Sequence, residues 1–267
     1  MRKVYKVFYS ELAEHYVEEN FVYSTASGRL RRNFITKLLK DFPQGLLLNV
    51  GCGGIPLQAD NQTVVGVDIA VASLKRAKRL NPKGLFICGD AERLDFLKPS
   101  TFPSAVLIET IEHLENPLDC LGGIYKALTP GALLLITCPN WSRKRPYLEY
   151  PPIIKRVKVS LPEPDGYLHT AYKPEELYKM CAEVGFECIQ KGSFEKELRY
   201  WTKLPLIIYQ IGERIFGPRK WLDMAYHSFL KLGVRLITFT GISEIIEKVV
   251  KNGRRSYIIV RKPYEAS

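Results

Sequence analysis

Apolar residues fall in short unbroken runs along the first half of the chain, and each run ends at a glycine or a polar residue. Runs of this length without polar alternation are typical of strands that are buried on both faces. Five such strands are predicted, at residues 46–50, 64–68, 85–91, 105–109 and 131–137. The segments beside them have helical spacing, so the pattern predicts alternating strands and helices.

Further elements are predicted on either side of these strands. Apolar and aromatic residues recur at helical spacing within residues 4–20, which indicates one amphipathic helix. A second helix is expected after residues 27–29 and through Lys40. The remaining predicted elements are a helix at 174–184 that stops at Gly185, and strands at 186–193 and 255–261.

The segment between the last two strands differs in composition from the rest of the chain. Residues 194–252 contain nine aromatic residues, and ten Lys or Arg against six Asp or Glu. Their apolar runs are interrupted by Gly-Pro and by single glycines, which predicts two or three amphipathic helices. A basic, aromatic-rich element of this kind lies in a membrane interface or walls a pocket for a lipid-like substrate. Packing on the core or against a second copy of the chain is the alternative.

A glycine-rich turn, Gly51-Cys52-Gly53-Gly54, ends the first predicted strand. Glycines let the backbone approach another group closely, although the same turn also serves a strand that only needs a tight connection. Asp68 follows the second strand, 17 positions after Gly51. A carboxylate at that place can accept hydrogen bonds from both hydroxyl groups of a ribose. Together the two features predict a nucleoside cofactor.

Five motifs carry a resemblance to a known family. They are, in order, LLLNVGCGG, VVGVDIA, FICGDAERLDF, FPSAVLIETIEHLENP and LTPGALLLITCPN. With these motifs the chain resembles the class I S-adenosylmethionine-dependent methyltransferases over about residues 5–193, and it is most similar to their quinone-biosynthesis branch. A dinucleotide-binding fold shares only the first two strands with this pattern.

The resemblance implies a fold and a division of the chain. The fold class is α/β: a doubly wound, Rossmann-like sheet of seven mostly parallel strands with the last strand antiparallel, plus an inserted helical subdomain. Residues 1–193 would form the S-adenosylmethionine-binding methyltransferase core with an N-terminal cap helix. Residues 194–252 would form the amphipathic helical insertion, and residues 253–267 the final strand of the core and a C-terminal tail.

The resemblance also implies which residues bind the cofactor, S-adenosyl-L-methionine, and its product S-adenosyl-L-homocysteine. The predicted set is Arg29, Asn49, Gly51, Cys52, Gly53, Asp68, Ile69, Asp90, Ala91 and Glu109. Asp90 and Ala91 would bind the adenine, although an acid after a strand also serves to cap the following turn. Arg29, rather than Arg31 or Arg32, would bind the carboxylate of the cofactor.

Two positions depart from the pattern of the family. Asn49 stands where an acidic residue is usual, and it keeps an acceptor oxygen without the charge. Ile55, followed by Pro56, replaces the usual third glycine, so the loop is expected to enter its helix differently. These departures leave open a non-catalytic module that binds the cofactor.

The fourth strand ends in Glu-Thr-Ile-Glu-His-Leu, and the carboxyl ends of parallel strands line the ligand crevice. By the resemblance, Glu112 and His113 face the reacting methyl group. His113 would be a general base, because an imidazole titrates near neutrality, or a structural histidine. His169 is the second catalytic candidate. Methyl transfer from a sulfonium depends mostly on in-line placement, so only the proton of the acceptor would need a base.

The formal charge of +11 fits binding to nucleic acid or to an anionic membrane as well as an ordinary lysine-rich surface. Nucleic-acid amino methyltransferases carry Asn- or Asp-Pro-Pro-aromatic after strand four, and this chain does not. RNA cytosine-C5 enzymes pair a thiol at the position of Cys138 with a Pro-Cys that is missing here. A small-molecule or lipid-like acceptor is therefore preferred, and an RNA acceptor is the alternative.

Six cysteines occur without a Cys-x-x-Cys pair, which predicts reduced thiols in a cytoplasmic protein and neither disulfides nor a zinc site. No metal site is expected. The amino terminus lacks the apolar stretch of a secretory signal, and no apolar run is long enough to span a bilayer. We expect a cytoplasmic enzyme, and we leave open a peripheral membrane contact through residues 200–250 and a homodimer.

Overall fold

The computed structural model describes residues 3–15, 25–140, 147–149, 159–160, 167–196, 203–217 and 219–264. Its strands are β1 (Gly45–Val50), β2 (Gln62–Asp68), β3 (Leu85–Cys88), β4 (Phe102–Ile108), β5 (Leu128–Pro139), β6 (Tyr147–Glu149), β7 (Tyr167–His169), β8 (Glu187–Phe194) and β9 (Arg255–Arg261). Seven of them form one sheet in the order β3-β2-β1-β4-β5-β9-β8, and β6 pairs with β7 in a separate two-stranded ribbon.

The directions of the strands confirm the predicted fold. β3, β2, β1, β4 and β5 are parallel to their neighbours, whereas β9 is antiparallel to both β5 and β8. The sheet therefore has seven mostly parallel strands with the last strand of the chain antiparallel. The two-stranded ribbon is antiparallel and brings His169 opposite Tyr147.

Helices cover both faces of the sheet. Those in the described part of the chain are α1 (Lys3–His15), α2 (Ala26–Leu39), α3 (Val71–Leu80), α4 (Pro117–Ala127), α5 (Pro174–Val184), α6 (Lys203–Phe216), α7 (Lys220–Phe239) and α8 (Ile242–Val249). A single 3-10 turn, Ile111–His113, follows β4. The predicted 174–184 helix coincides with α5, and Gly185 ends it with a φ of +105°. The end of the predicted 4–20 helix lies outside the described residues.

Successive residues of the central strands enter two apolar clusters on opposite faces of the sheet. Leu48 of β1 and Leu107 of β4 belong to one cluster, which α4 and α5 cover. Leu47 and Val106, their neighbours in the chain, belong to the other, which α2 covers through Ile35 and Leu39. This alternation explains the unbroken apolar runs, because each face of the strand is buried.

No helix joins β1 to β2, since residues 51–61, all of them described, form turns and irregular structure. We expected the loop to enter its helix differently at Ile55, and the structure instead has no helix there. A residue that precedes a proline disfavours the helical conformation, and Ile55 precedes Pro56. Leu57 is buried in the cluster beside α2 and holds the connection against the sheet.

The insertion between β8 and β9 consists of α6, α7 and α8, which confirms the two or three helices that the sequence predicts. α7 contacts α6, α8 and also α2 of the core. Gly212 allows α6 to approach α7 closely, because a Cβ there would lie 2.8 Å from the side chain of Leu222. The exact limits of the three predicted parts, 1–193, 194–252 and 253–267, stay predictions.

The insertion carries an exposed apolar surface, a term used below for fourteen large apolar side chains that are each at least 45% exposed. They are Ile207, Ile208, Ile211, Ile215, Phe216, Trp221, Met224, Phe229, Leu232, Leu236, Phe239, Ile242, Ile245 and Val249. Many of them recur three or four positions apart, so each helix has an apolar stripe on its outer side. Among the helices that the structure describes, none has the length and hydropathy that a membrane span requires.

Candidate active site

The glycine turn after β1 packs against the end of β4. Gly51 and Gly53 have φ angles of +66° and +57°, in the left-handed region that favours glycine. A Cβ at Gly51 would lie 2.3 Å from the hydroxyl oxygen of Thr110. That hydroxyl is within hydrogen-bond distance of the carbonyls of Gly51, at 3.3 Å, and Ile108, at 3.0 Å. The close approach at Gly51 is therefore made, within this chain, to Thr110.

Asp68 holds the same turn from the end of β2. One of its carboxylate oxygens accepts a hydrogen bond from the Gly53 N–H at 2.9 Å, and the other accepts one from the Ala70 N–H at 2.8 Å. Asp68, which is predicted to bind the ribose, thus also fixes the shape of the glycine turn. Ile69 follows Asp68 at the same edge of the sheet.

Asp90 lies in the turn after β3. One of its carboxylate oxygens accepts from the Glu92 amide at 3.0 Å, so the acid caps this turn, as the alternative interpretation allowed. Ala91 is partly buried beside it. The binding of adenine by Asp90 and Ala91 stays a prediction.

Asn49 and Cys52 are buried where β1 meets the turn. Asn49 is 3% exposed, and its side-chain oxygen has no hydrogen-bond partner among the described residues. An unpaired buried acceptor costs about 1–3 kcal/mol, so a donor from a ligand or a water would be stabilising there. The thiol of Cys52 lies over Gly66, where a Cβ would be 2.7 Å from the sulfur.

Two arginines and two glutamates form an ion-pair network beside the glycine turn. Arg31 of α2 pairs with Glu109 at 3.1 Å and with Glu195 at 3.2 Å, and Arg255 of β9 pairs with Glu109 at 2.7 Å. The hydroxyl of Ser27 donates to Glu195 at 2.8 Å. Burial alone would raise the pKa of Glu195, but Arg255 and Arg31 hold that pKa below its ordinary value. The network joins α2, the end of β4, the start of the insertion and β9.

Glu109, a predicted cofactor residue, is engaged in this network. Besides its two arginine partners, it accepts a hydrogen bond from the Thr137 hydroxyl at 3.0 Å. Its φ is +48°, and Glu195 has a φ of +58°. Left-handed backbone at residues other than glycine costs about 1–3 kcal/mol and persists where the surroundings fix it. Here the ion pairs and the Thr137 hydrogen bond supply those surroundings.

Of the arginines of α2, the structure brings Arg31, and not Arg29, to the active-site edge of the sheet. Arg29 is exposed, whereas Arg31 is 8% exposed and reaches Glu109 at the active-site edge of the sheet. Arg31 is on the same helix face as the buried Ile35 and Leu39, at positions i, i+4 and i+8. This spacing is a sequence signal that could have identified Arg31. The binding of the cofactor's carboxylate by Arg29 stays an untested prediction.

Both predicted catalytic histidines meet beside Glu112. The Nε2 atom of His113 is 3.9 Å from Oε1 of Glu112, and the rings of His113 and His169 are 5.1 Å apart. The N–H of Thr170 donates to the Glu112 carbonyl at 2.7 Å, which fixes β7 beside the 3-10 turn. Tyr9 of α1 closes the other side, with its ring 5.7 Å from that of His113. No local sequence pattern indicates that Tyr9 and His169 lie against His113.

Burial sets the charges in this cluster. It lowers the pKa of His113 to about 4, and burial, followed by the charges of His113 and Arg255, lowers the pKa of His169 further. Burial and then Glu109 raise the pKa of Glu112 well above its ordinary value. Both imidazoles are neutral at pH 7, and an imidazole with a pKa near 4 is a weaker base than an unperturbed one.

Cys138 is a buried thiol at the end of β5. It is 0% exposed, and its Sγ donates to the Tyr172 carbonyl at 3.5 Å. Burial, followed by the charges of Glu112 and Glu109, raises its pKa well above the ordinary value. Since the thiolate is the nucleophilic form, this cysteine is not activated as a nucleophile. The six cysteines, which all lie in the described part of the chain, form no disulfide there.

Comparisons with known proteins give the relatives of this chain. The methyltransferase domain family matches residues 48–136. A ubiquinone biosynthesis O-methyltransferase of Rickettsia canadensis (strain McKiel) is 24% identical over 159 residues, which are 57% of this chain and 67% of the relative. Cycloartenol-C-24-methyltransferase 1 of Oryza sativa subsp. japonica is 23% identical over 265 residues, which are 89% of this chain and 75% of the relative.

A solved structure shares the fold and contains the cofactor. Phosphoethanolamine N-methyltransferase 2 of Haemonchus contortus, in complex with S-adenosyl-L-methionine, has a TM-score of 0.51 and 15% identity, and the match covers 97% of this chain and 56% of that one. This chain thus spans little more than half of that structure. The domain match over residues 48–136 and these relatives support a class I S-adenosylmethionine-dependent methyltransferase.

The residues of this methyltransferase fit S-adenosylmethionine, which supplies a methyl group on a sulfonium centre when it is bound. Asn49 offers a buried oxygen with no partner among the described residues, and the turn at Gly51 and Gly53 presents backbone without side chains. Asp68 is positioned on that turn, where its carboxylate accepts a hydrogen bond from the Gly53 N–H. Glu112 and His113 lie at the end of β4, the neighbour of β1 in the sheet, so the predicted cofactor and catalytic residues share one edge.

Proposed function

We propose that this methyltransferase methylates a small-molecule acceptor with a large apolar part, a quinol-like or lipid-like compound, which it meets at a membrane surface. The exposed apolar surface of the insertion carries this proposal. The relatives named for ubiquinone biosynthesis and for cycloartenol support an acceptor of the same class.

The outer side of the insertion is rich in large apolar side chains, which are usually found on the buried side of a helix. In α7, Leu230 is 8% exposed and packs inward, whereas Leu232 and Leu236 are 55% and 53% exposed. A surface helix normally presents polar residues on its outer side. Soluble monomers rarely expose contiguous apolar patches larger than a few hundred Å² unless these serve binding. An apolar partner from outside the chain is therefore the favoured occupant.

The charge of the insertion favours an anionic bilayer as that partner. Residues 203–249 contain seven Lys or Arg and four Asp or Glu, and Arg214, Arg219 and Arg235 are exposed. Amphipathic helices with basic residues beside apolar ones bind in the interface of anionic membranes. A second copy of the chain would bring the same positive charges together, which opposes association.

Buried contacts connect the insertion to the active-site edge of the sheet. α7 packs against α2, and Arg31 of α2 reaches Glu109 at the end of β4. Glu195, which follows β8 directly, pairs with the same arginine. An acceptor that enters from the bilayer would therefore arrive beside the elements that carry the site.

Two acceptors that differ only in an apolar tail test the proposal. Transfer of a labelled methyl group to a hydroxylated aromatic head group with a polyprenyl tail is compared with transfer to the head group alone, in the presence of anionic vesicles. Each buried CH₂ contributes about 0.8 kcal/mol, so we expect kcat/KM to be more than about tenfold higher with the tail. Equal values, or methylation of RNA alone, would contradict the proposal.

Matched double variants test the role of the insertion. Leu232→Glu with Leu236→Glu changes side chains that are 55% and 53% exposed, and Leu80→Glu with Leu85→Glu changes leucines of the core that are 54% and 56% exposed. Only the first pair is expected to lose sedimentation with anionic vesicles and the preference for the tailed acceptor. Equal sedimentation of the two pairs would refute the membrane contact. A dimer that only the first pair disrupts would assign the surface to a second copy.

Calorimetry with S-adenosylhomocysteine completes the test. Binding by the wild type, together with unchanged binding by both double variants, is expected because neither pair lies at the glycine turn. A wild type that binds no S-adenosylhomocysteine would refute methyl transfer.

A further inference from the structure

Glu112, His113 and His169 each offer a metal-ligating atom, and these atoms lie within 4.8 Å of one another. The first two are adjacent on the turn after β4, and the third comes from β7, 56 positions later. The hydrogen bond from the Thr170 N–H to the Glu112 carbonyl holds these two segments side by side. The three ligands come together only in the folded chain, and they form no compact motif in the sequence. For that reason no metal site was expected from the sequence.

A buried carboxylate oxygen without a partner points to a ligand in this cluster. The Glu112 side chain is 2% exposed, and its Oε2 has no hydrogen-bond partner among the described residues. The hydroxyl of Tyr9 is also buried, and none of those residues pairs with it. Arg31 and Arg255, the guanidinium groups nearby, are paired with Glu109. Buried carboxylates are stable when they are paired or coordinate a metal ion. The ion pair that the described residues give Glu112 is the 3.9 Å contact with His113, which is an ion pair only when that imidazole is protonated.

We propose that Glu112, His113 and His169 bind one divalent first-row transition-metal ion. Two imidazole nitrogens and one carboxylate oxygen suit Zn²⁺, Co²⁺, Mn²⁺ or Fe²⁺, whereas Mg²⁺ and Ca²⁺ prefer oxygen ligands alone. Three protein ligands leave at least one coordination position for water or for an oxygen of the acceptor. The His113 side chain is 24% exposed, so the ion has access from solvent.

The geometry allows coordination with small side-chain movements. Metal-to-ligand distances of about 2.1 Å in a tetrahedral site separate the ligand atoms by about 3.4 Å. The Glu112 oxygen and the His113 nitrogen are already 3.9 Å apart, and the widest pair of ligand atoms is within 4.8 Å. Side-chain rotations that move the ligand atoms by about 1 Å would therefore bring them to coordination distance of one ion, while the backbone contacts stay in place.

Titration of the chelator-stripped, full-length protein with Co²⁺ tests the site. We expect about one equivalent to bind, with visible absorption bands typical of nitrogen and oxygen ligands and without the near-ultraviolet band of thiolate ligation. Glu112→Gln and His169→Gln each remove one ligand and should weaken binding about 100-fold or more. His227→Gln, which changes an exposed histidine of the insertion, should bind Co²⁺ like the wild type.

Two outcomes would refute the site: a stripped wild type that binds no Co²⁺, or Glu112→Gln and His169→Gln variants that both bind it like the wild type. The wild-type result stands even if a variant does not fold, and binding of S-adenosylhomocysteine by the variants reports that they do. The role of an acceptor oxygen rests on the proposed function, but the metal site does not. A chain that binds Co²⁺ and methylates no tailed acceptor would keep the site and refute the function.

Discussion

The sheet and the insertion use the same apolar residue types in opposite ways. In β4 and β5, Leu107 and Leu134 are 0% exposed, whereas Phe239 of α7 and Val249 of α8 are 91% and 73% exposed. The sheet buries its apolar residues within the chain, but the outer side of the insertion has nothing in the described chain to cover it. The buried apolar packing of this methyltransferase therefore lies in the sheet, and the exposed apolar residues of the insertion are the reason for proposing that it binds a partner.

The largest expected effect compares one leucine from each region. Leu107→Ala removes a fully buried side chain and should lower the free energy of unfolding by about 4 kcal/mol. Leu232→Ala changes a side chain that is 55% exposed, and its effect should stay within about 0.5 kcal/mol. Urea denaturation of both variants measures the contrast. Similar losses would break the comparison, because they would mean that the outer side of the insertion is covered in solution.

The ion-pair network, which links the two regions, should give the next largest effect. Glu195→Gln leaves Arg31 and Arg255 with one carboxylate, that of Glu109, between them. We expect the free energy of unfolding to fall by about 3 kcal/mol. The pKa of Glu195 is lowered in the folded chain, so its contribution is present above the unfolded pKa of about 4.3 and is lost as the pH falls through the folded pKa.

Denaturation curves of the wild type and the Glu195→Gln variant between pH 7 and pH 3.5 check this sign. The stability of the variant should fall less steeply than that of the wild type below about pH 4.3. Glu187→Gln, at an exposed position of β8, serves as the control and should follow the wild type. A Glu195→Gln curve parallel to that of the wild type would show that the network does not couple protonation to folding.

The smallest expected effect sharpens the comparison through two glycines with similar backbone. Gly51 and Gly241 have φ angles of +66° and +72°, but a Cβ at Gly51 meets Thr110, whereas one at Gly241 meets nothing within 4 Å. Gly241→Ala should cost about 1 kcal/mol of backbone strain alone. Gly51→Ala should cost about 2 kcal/mol and also weaken the binding of S-adenosylhomocysteine, because the turn must move.

Denaturation and calorimetry on both glycine variants separate strain from function. Unchanged cofactor binding in Gly51→Ala would remove the turn from the cofactor site. Weakened binding in Gly241→Ala would show that the insertion, contrary to the comparison, supports the sheet.

The fold could be predicted from sequence where local signals are strong. The limits of α5 match because a proline begins the helix and Gly185 ends it, and β9 matches because an isolated apolar run lies between charged residues. β5 is longer than predicted, since its ends pair with Phe102 of β4 and Arg255 of β9. Such pairing depends on distant parts of the chain and leaves no mark in the local pattern.

The site was predictable as a set of positions and much less as a set of contacts. Motif spacing predicts Asp68 and His113 as site residues, but it could not show that Asp68 binds the Gly53 amide or that His169 packs beside His113. The helix face that Arg31 shares with Ile35 and Leu39 distinguishes it from the exposed Arg29. Side-chain contacts such as that of His113 with His169 depend on tertiary packing, which brings together residues more than 50 positions apart.

The connection between β1 and β2 bears on which nucleotides the chain can accept. A helix that starts at a glycine turn presents unpaired N–H groups and the positive end of its dipole, and this is what retains a pyrophosphate. Residues 51–61 contain no helix, so the turn at Gly51 has no such anion receptor. S-adenosylmethionine carries a sulfonium and no phosphate. We therefore expect this turn to bind dinucleotides and nucleoside phosphates less well than a helix N-terminus would, while a cationic nucleoside such as S-adenosylmethionine loses nothing.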